Sequence, residues 1–289
     1  MKKKFLFGKK WFFEDFKLGE PKTSTWGFVI EKEIYSGKSK FQKIEVFYNR
    51  EFGKILALDG LIQLSTKDEF VYHEMLVQPA MFYHKNPKKV LIIGGGDGGA
   101  LREVMKHPVE EIYLVDIDKK IIEVSKKYLP SLSKGTFKDK RLKIFTEDAL
   151  KFIKEFENFF DVIIDDLTDP TGFSLNLWKI KFYRDVFRSL KEKGVAAFQT
   201  AYPGEKFAKR ARRRLRRVFP FFKIHNAFVG CFPFEEHTFS FCSKKVDFEK
   251  ASFKKIKERY KKLNLKTKYY SPTIHFTSQI LPKYLIPKL

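Results

Sequence analysis

Val90-Leu91-Ile92-Ile93-Gly94-Gly95-Gly96-Asp97-Gly98-Gly99 is the stretch whose reading decides the fold. Four consecutive apolar residues read as a strand buried on both faces, as in a parallel sheet. The glycines after it let the chain turn tightly and bring backbone close to a ligand. Turns of this kind usually cradle pyrophosphate on the amides of a helix N-terminus. Asp97 stands where the phosphate would arrive, and two anions there repel. A ligand with a positive group fits instead, such as a sulfonium nucleoside with an amine tail. That one carboxylate turns the expectation from a dinucleotide enzyme to an alkyl transferase.

Outward from this turn, strands alternate with helical patterns. The expected strands are Val90–Ile93, Ile112–Asp116, Leu142–Phe145, Asp161–Asp165 and Val195–Gln199, with helices near 99–107, 119–129, 148–156, 179–191 and 204–217. That rhythm predicts an α/β fold with a doubly wound, mostly parallel sheet. A helix over 67–83 precedes it, and Lys223–Val229 and Thr238–Ser243 read as an antiparallel hairpin at its edge. One helix near Phe253–Leu263 and an irregular Pro-containing end complete the chain. Before position 67 the pattern is short strands: Trp26–Ile34, Ile44–Tyr48, Lys54–Leu58 and Leu61–Leu64, with turn signals at Ser36-Gly37, Asn49-Arg50 and Asp59-Gly60. The expected organisation is a small antiparallel β domain over 1–66 and a catalytic domain over 67–289.

A chain of 289 residues, 43% hydrophobic, buries a substantial core, and 33 Phe against four Met predict an aromatic one. No apolar run reaches membrane-spanning length. The basic start Met1–Lys10 has too short an apolar stretch for a signal sequence, so the default expectation is cytoplasmic. Cys231 and Cys242 read as small buried hydrophobes, and the scattered histidines show no metal-ligand spacing. The net charge of +23 permits nucleic-acid or acidic-membrane binding. Its densest run is Lys209–Arg217, within a basic helix at 206–217. Phe207, Ala211, Leu215 and Val218 fall on one helix face, so the arginines read as its solvent side, which is favoured over a nucleic-acid site. Lysine is spread along the whole chain, as in heat-adapted proteins.

Ligands in such sheets bind beyond the carboxyl ends of the strands. Acids cluster there: Asp97, then Asp116 with Asp118, then Asp148, then Asp165, Asp166 and Asp169. Asp116, nineteen residues beyond Asp97, stands where an acid accepts both ribose hydroxyls of an adenosine. Asp148 with Ala149 suits an adenine, or Asp148 caps a helix. Crowded carboxylates at Asp165, Asp166 and Asp169 raise each other's pKa unless a cation neutralises them. A polyamine would do so, and one carboxylate would then take its proton. Attack on a sulfonium carbon needs a neutral amine, so a positioned base has a task. Tyr72 and His73, in the preceding helix, stand ready to bond the amine and the ligand, or to pack.

Four blocks in order resemble the polyamine aminopropyltransferases, the spermidine synthase family. They are Leu58–Gln63, Asp68–Met75, Ile93–Gly99 with Leu101-Arg102-Glu103, and Asp166-Leu167-Thr168-Asp169-Pro170. The resemblance runs from Trp11 through Ser243. It implies a Rossmann-like methyltransferase fold behind a β-stranded N-terminal domain, assembled as homodimers or homotetramers. It also implies decarboxylated S-adenosylmethionine as co-substrate, 5′-methylthioadenosine as by-product, and no permanent cofactor, metal or membrane. By position it makes Asp166 the acid-base, with Tyr72 beside it. Gln42, His73, Gly94, Gly95, Gly96, Asp97, Asp116, Asp148 and Ala149 would hold the donor, and Gln63, Tyr72, Asp166, Asp169 and Phe232 the acceptor. Residues 170–178 match a loop that closes over the site. Decarboxylation fits the physical reading, because the missing carboxylate lets Asp97 approach the tail amine and makes it reject the ordinary methyl donor.

The chain departs from the putrescine-using members in several places. Gly230-Cys231-Phe232-Pro233-Phe234-Glu235 puts Phe232 where those members carry a tyrosine, and Ala149 replaces a glycine. Asp166-Leu167-Thr168-Asp169-Pro170 and Gln199-Thr200-Ala201-Tyr202 also differ, several of these positions looking more like thermospermine synthases. Putrescine giving spermidine is the first expectation. Thermospermine- or spermine-type transfer and transfer to agmatine are alternatives. A small-molecule methyltransferase and a basic nucleic-acid-binding protein are remoter ones.

Overall fold

The structure, a computed structural model, describes residues 3–14, 25–170, 172–232 and 236–283. Seven short strands open the chain. β1 (Lys4–Leu6), β2 (Lys9–Phe13) and β3 (Gly27–Val29) pair antiparallel in one sheet. β4 (Lys32–Lys38), β5 (Lys43–Asn49), β6 (Gly53–Leu58) and β7 (Leu61–Ser65) form a second, four-stranded meander. Trp26–Ile34, expected as one strand, therefore serves two sheets. The switch falls between neighbours: the Ile30 amide bonds Lys10 O, and the Glu31 amide bonds Tyr48 O. β1 and β2 were not legible at all, because charged and apolar residues alternate there only briefly. Asp59 and Gly60 make the expected tight hairpin with φ of 47° and 87°. Ser36-Gly37, expected as a turn, lies inside β4. The turn comes at Ser39, whose hydroxyl oxygen accepts the Phe41 and Gln42 amides at 3.0 Å each.

α1 (Glu69–Tyr83) leads into β8 (Lys89–Gly94), α2 (Gly99–Val104), β9 (Glu111–Val115), α3 (Lys119–Tyr128) and α4 (Pro130–Ser133). β10 (Leu142–Phe145), α5 (Ala149–Phe152) and β11 (Phe160–Asp166) follow, then α6 (Ile180–Ser189), β12 (Leu190–Gln199) and α7 (Lys206–Val218). β13 (Phe221–Ala227), β14 (His237–Ser243), α8 (Phe253–Lys262) and α9 (Pro272–Thr277) end the chain. The helix expected over 148–156 is one α turn continued by a 3₁₀ turn, Ile153–Glu155.

The main sheet has the order β10-β9-β8-β11-β12-β14-β13. Its first five strands run parallel, and β14 enters antiparallel between β12 and β13. β9 and β10 lie to one side of β8, and β11 onward to the other. The topological switch point is thus between β8 and β11, where a crevice opens at the carboxyl ends. Gly94 and Asp166 face each other there in register.

Strand side chains alternate between two apolar layers. Ile92, Ile164 and Phe241 pack with Met75 and Ala80 of α1, while Leu91, Ile163 and Phe198 pack with Phe182 and Leu215. Phenylalanine fills the core as composition predicts, and both cysteines are buried and free. Alternation also turns Asp165 to the face opposite Asp166, where burial, together with Asp166, drives its carboxyl well above the ordinary value. Asp165 belongs to the core rather than to the acid cluster at the crevice.

Two expectations fail outside the site. The arginines of α7 do not all face solvent: Arg212 is 0% exposed. It donates from Nη1 to Thr200 O at 3.0 Å and from Nη2 to Pro203 O at 2.7 Å. A guanidinium with such backbone acceptors can sit inside, which helical spacing alone cannot reveal. The described stretch after α8 is not irregular throughout either. Glu74 of α1 accepts the amides of Lys268, Tyr269 and Tyr270 at 2.8 Å each, and α9 packs behind them. Among the described residues no helix is long and apolar enough to cross a membrane.

Candidate active site

The glycine turn is shaped by its neighbour strand. Gly94 has φ 75°, and a Cβ there would run into the backbone oxygen of Asp166. The Gly95 amide donates to that same oxygen at 3.1 Å. A Cβ on Gly99 would strike the His73 ring, so this glycine lets α1 close against the turn. Asp97 Oδ1 accepts the Gly99 amide at 2.7 Å. Asp116 accepts the Gly96 amide on Oδ2 at 3.1 Å and the Asp118 amide on Oδ1 at 2.9 Å. Asp118 in turn takes Gln42 Nε2 at 2.9 Å and Ser39 Oγ at 2.7 Å, which latches the β4–β5 turn over the end of β9. Asp148 Oδ1 accepts the Leu150 amide at 2.9 Å, so it does cap α5. It also lines the crevice, so the two readings of Asp148 are compatible.

These ends enclose a cavity of about 230 Å³. Gln42, Gln63, Tyr72, His73, Gly94, Gly95, Gly96, Asp97, Asp116, Asp148, Ala149 and Asp166 all line it. A second cavity of about 60 Å³ adjoins it and shares Gln63, Tyr72, Leu167 and Thr168. Asp169 and Phe232 line the second one, so every residue that the family resemblance assigned to donor or acceptor faces one cavity or the other, whereas Asp118 and Asp165 of the acid cluster line neither. The stretch Pro233–Glu235 lies outside the described residues, as does Thr171 of the 170–178 loop. The rest of that loop is a 3₁₀ turn, Gly172–Trp178, held by Ser174 Oγ on Asp169 O at 2.6 Å.

Tyr72 stands between the cavities and donates its hydroxyl to Asp166 Oδ1 at 3.0 Å. Burial, with Asp97 nearby, pushes Asp166 up to about 7, so it holds or releases a proton near neutrality. Asp166 Oδ2 is buried and has no hydrogen-bond partner among the described residues. Burial also lifts Asp116 to about 6, against the Asp118 and Gly96 amides that favour its carboxylate.

His73 belongs to a buried chain of charges. Its Nδ1 meets Glu69 Oε2 at 2.7 Å and its Nε2 meets Asp97 Oδ1 at 3.4 Å. Glu69 is gripped on both oxygens by Arg102, at 2.8 and 2.9 Å. Burial pulls His73 down, but Asp97 and Glu69 outweigh it and hold the ring well above its ordinary pKa. Burial likewise raises Asp97, yet His73 and the Gly99 amide win and keep it an anion. Single ligand atoms of His73, Asp97 and Asp166 lie within 4.8 Å of one another, close enough for a metal. A ring that donates from both nitrogens has no lone pair to give one. The gap suits a cationic group of an organic ligand better.

The second cavity holds what sequence reasoning missed. Glu14 and His237 line it, with Tyr202, which had stood out only as a departure from the family pattern. Glu14 Oε1 accepts the Ile62 amide at 2.7 Å, which ties β2's end to the β6–β7 hairpin. Gln199 donates to Leu167 O at 2.9 Å and accepts the Ala201 amide at 3.1 Å. With Arg212 on Thr200 and Pro203, these bonds fix the loop that carries Tyr202. No local signal marks Glu14 or His237, since each depends on segments remote in the chain. Among the described residues lining both cavities, none is Lys or Arg.

Comparison with known proteins bears on the whole chain. Residues 69–271 match the spermine/spermidine synthase domain, and residues 10–66 match the spermidine synthase tetramerisation domain. A polyamine aminopropyltransferase of Caldicellulosiruptor saccharolyticus is 39% identical over 271 residues, covering 92% of this chain and 95% of that protein. Polyamine aminopropyltransferase 1 of Aquifex aeolicus is 43% identical over 251 residues, covering 86% of each. The crystal structure of a spermidine synthase in complex with the transition-state analogue AdoDATO superposes with a TM-score of 0.90 at 39% identity, over 96% of this chain and 94% of that one. Spermidine synthase from Thermotoga maritima gives 0.88, also at 39% identity, over 96% and 93%.

Proposed function

The chain belongs to the spermine/spermidine synthase family, and we propose that it moves the aminopropyl group of decarboxylated S-adenosylmethionine onto an alkylamine, releasing 5′-methylthioadenosine. The observation that carries this reading is the charge of the crevice. On a chain of net charge +23, Asp97 and Asp166 meet in a cavity that no Lys or Arg lines among the described residues. Such a site calls for a cationic ligand.

In this reading Asp116 receives the ribose hydroxyls and Asp148 with Ala149 the adenine, while Gly94–Gly96 let backbone approach the nucleoside. Gln42 closes over the donor from the β4–β5 turn. Asp97 takes the tail ammonium, and His73 keeps Asp97 ionised for it. The acceptor enters through the second cavity past Gln63, Asp169 and Phe232. Its neutral amine attacks the carbon next to the sulfonium, a C–N bond forms, and the S–C electron pair returns to sulfur. Asp166 takes the proton that the amine loses, and Tyr72 holds the Asp166 carboxyl toward it. Proximity and a base matched to neutral pH supply the rate. The acceptor is an amine of the polyamine series, putrescine being its simplest member.

A direct test offers purified protein decarboxylated and intact S-adenosylmethionine in parallel. Product only from the decarboxylated donor is expected, with D97N narrowing the difference. Methyl transfer from the intact donor, with no aminopropyl transfer, overturns the reading.

We also propose a homo-oligomer. Phe5 and Phe7 stand 75% and 90% exposed on the β1–β2 hairpin, beside the segment that matches a tetramerisation domain. A solution mass equal to one 34.2 kDa chain would remove this proposal.

A further inference from the structure

Among the buried histidines, one stands apart. His73, His107, His225 and His275 each have at least one ring nitrogen in a hydrogen bond. His237 has neither: both nitrogens are buried and lack a partner among the described residues. The residue opens β14 and is 7% exposed. Its ring sits in an aromatic box, with centroids of Tyr72, Phe232, Phe239 and Tyr202 at 5.2, 5.7, 5.1 and 6.1 Å. Leaving a buried polar group unpaired costs free energy, so such a group in a cavity wall points to a ligand atom.

The second cavity shows what that ligand atom would be. Glu14 and Asp169 provide carboxylates, which suit a cationic terminus. Burial drops His237 to about 3, so the ring is neutral and does not repel a cation. A neutral imidazole has one lone pair to accept an N–H and one N–H of its own. A run of methylene groups offers it nothing. Phe232, against its face, has no hydroxyl with which to bond it.

We propose that His237 reads the tail of the acceptor, accepting a hydrogen bond from an N–H beyond the reacting amine. The enzyme then prefers an acceptor whose tail carries a secondary amine or a guanidinium over a plain diamine. This rests on aminopropyl transfer as the reaction, and it moves the favoured acceptor away from putrescine. The shared chemistry is a donor N–H along the tail, with the terminal charge on Asp169 or Glu14.

The experiment measures release of 5′-methylthioadenosine from decarboxylated S-adenosylmethionine with putrescine, spermidine or agmatine. Wild-type protein is compared with H237F and H237Q. In the wild type, spermidine or agmatine should exceed putrescine in kcat/KM by about tenfold or more. Which of the two wins distinguishes an inner secondary amine from a guanidinium. H237F should lose that advantage by raising the KM for spermidine or agmatine well beyond any change for putrescine, with the donor KM within about threefold of wild type. H237Q keeps a hydrogen-bond acceptor and should restore most of it. A wild type that prefers putrescine overturns the proposal, as does an H237F that lowers all three acceptors alike. If the wild type makes no product with any amine, aminopropyl transfer itself fails, and this proposal falls with it.

Discussion

The larger cavity takes its walls mainly from the carboxyl ends of adjacent parallel strands, β8, β9 and β11, with α1 laid across them. The smaller one beside it is assembled from Glu14, Gln63, Asp169, Tyr202 and His237, residues scattered over most of the chain. The first is fixed by sheet hydrogen bonding: Gly94 cannot move without Asp166, because the two are register partners. The second is fixed by single side-chain bonds such as Glu14 to Ile62 and Arg212 to Thr200. A nucleoside pocket built on a ladder is hard to alter by one substitution. An amine pocket hung on individual bonds can change ligand while the chemistry next to it persists.

The sharpest way to break that comparison is at Asp166, which lines the larger cavity and accepts the hydroxyl of Tyr72, a residue of both. D166N removes the base, and kcat should fall by about 10³-fold, within the usual range for such a group. Donor affinity should stay within a few-fold. Near-normal turnover would take away the role assigned to Asp166. The pH dependence follows from the same shift. With Asp166 raised by burial to about 7, kcat/KM for the acceptor should climb as pH rises and level off near neutrality, and this bend should be missing in D166N, whose rate keeps rising with the fraction of neutral amine. A melting curve separates catalysis from folding. Between about 4, the ordinary carboxyl value, and 7, the native state holds a proton that the unfolded chain has lost, so Asp166 stabilises less as pH rises. D166N should therefore melt higher than wild type at pH 8 and no higher at pH 4. A lower melting point at pH 8 contradicts the burial argument.

How legible each cavity is in sequence follows from how it is built. The turn at Gly94–Gly99 and the acids Asp97, Asp116, Asp148 and Asp166 recur at strand ends, so strand-and-helix periodicity alone leads to them. Tyr72 and His73 sit on a helix with no amphipathic stripe, so position alone leaves them between ligand contact and packing, and the family pattern is what assigns them to the site. Glu14 and His237 have neither help. Glu14 reaches the cavity because β2 turns back beside the β6–β7 hairpin, and β2 was itself invisible. His237 reaches it because β14 inserts between β12 and β13, so that its first residue emerges next to Tyr202. Arg212 misleads for a related reason. Helical spacing says which face is apolar, but not that backbone oxygens at Thr200 and Pro203 wait beneath an arginine. Asp165 misleads by one residue, because strand alternation turns it away from Asp166.

The smallest expected effect is also the most selective probe of the amine pocket. F232Y adds one hydroxyl to the wall of the second cavity, between Tyr72 at 6.3 Å and His237 at 5.7 Å by ring centroids. One new hydrogen bond to a short diamine is worth about 1 kcal/mol, or roughly fivefold. The KM for putrescine should drop by about that factor, and the donor KM should not move. The new hydroxyl can also bond the free imidazole of His237. Satisfying the ring internally withdraws it from the acceptor's tail, so any preference for spermidine or agmatine should shrink in the same variant. A change in donor KM instead would mean that the wall at Phe232 communicates with the nucleoside pocket through Tyr72. The two cavities would then be a single unit, and the separation between a rigid donor site and an adjustable acceptor site would not hold.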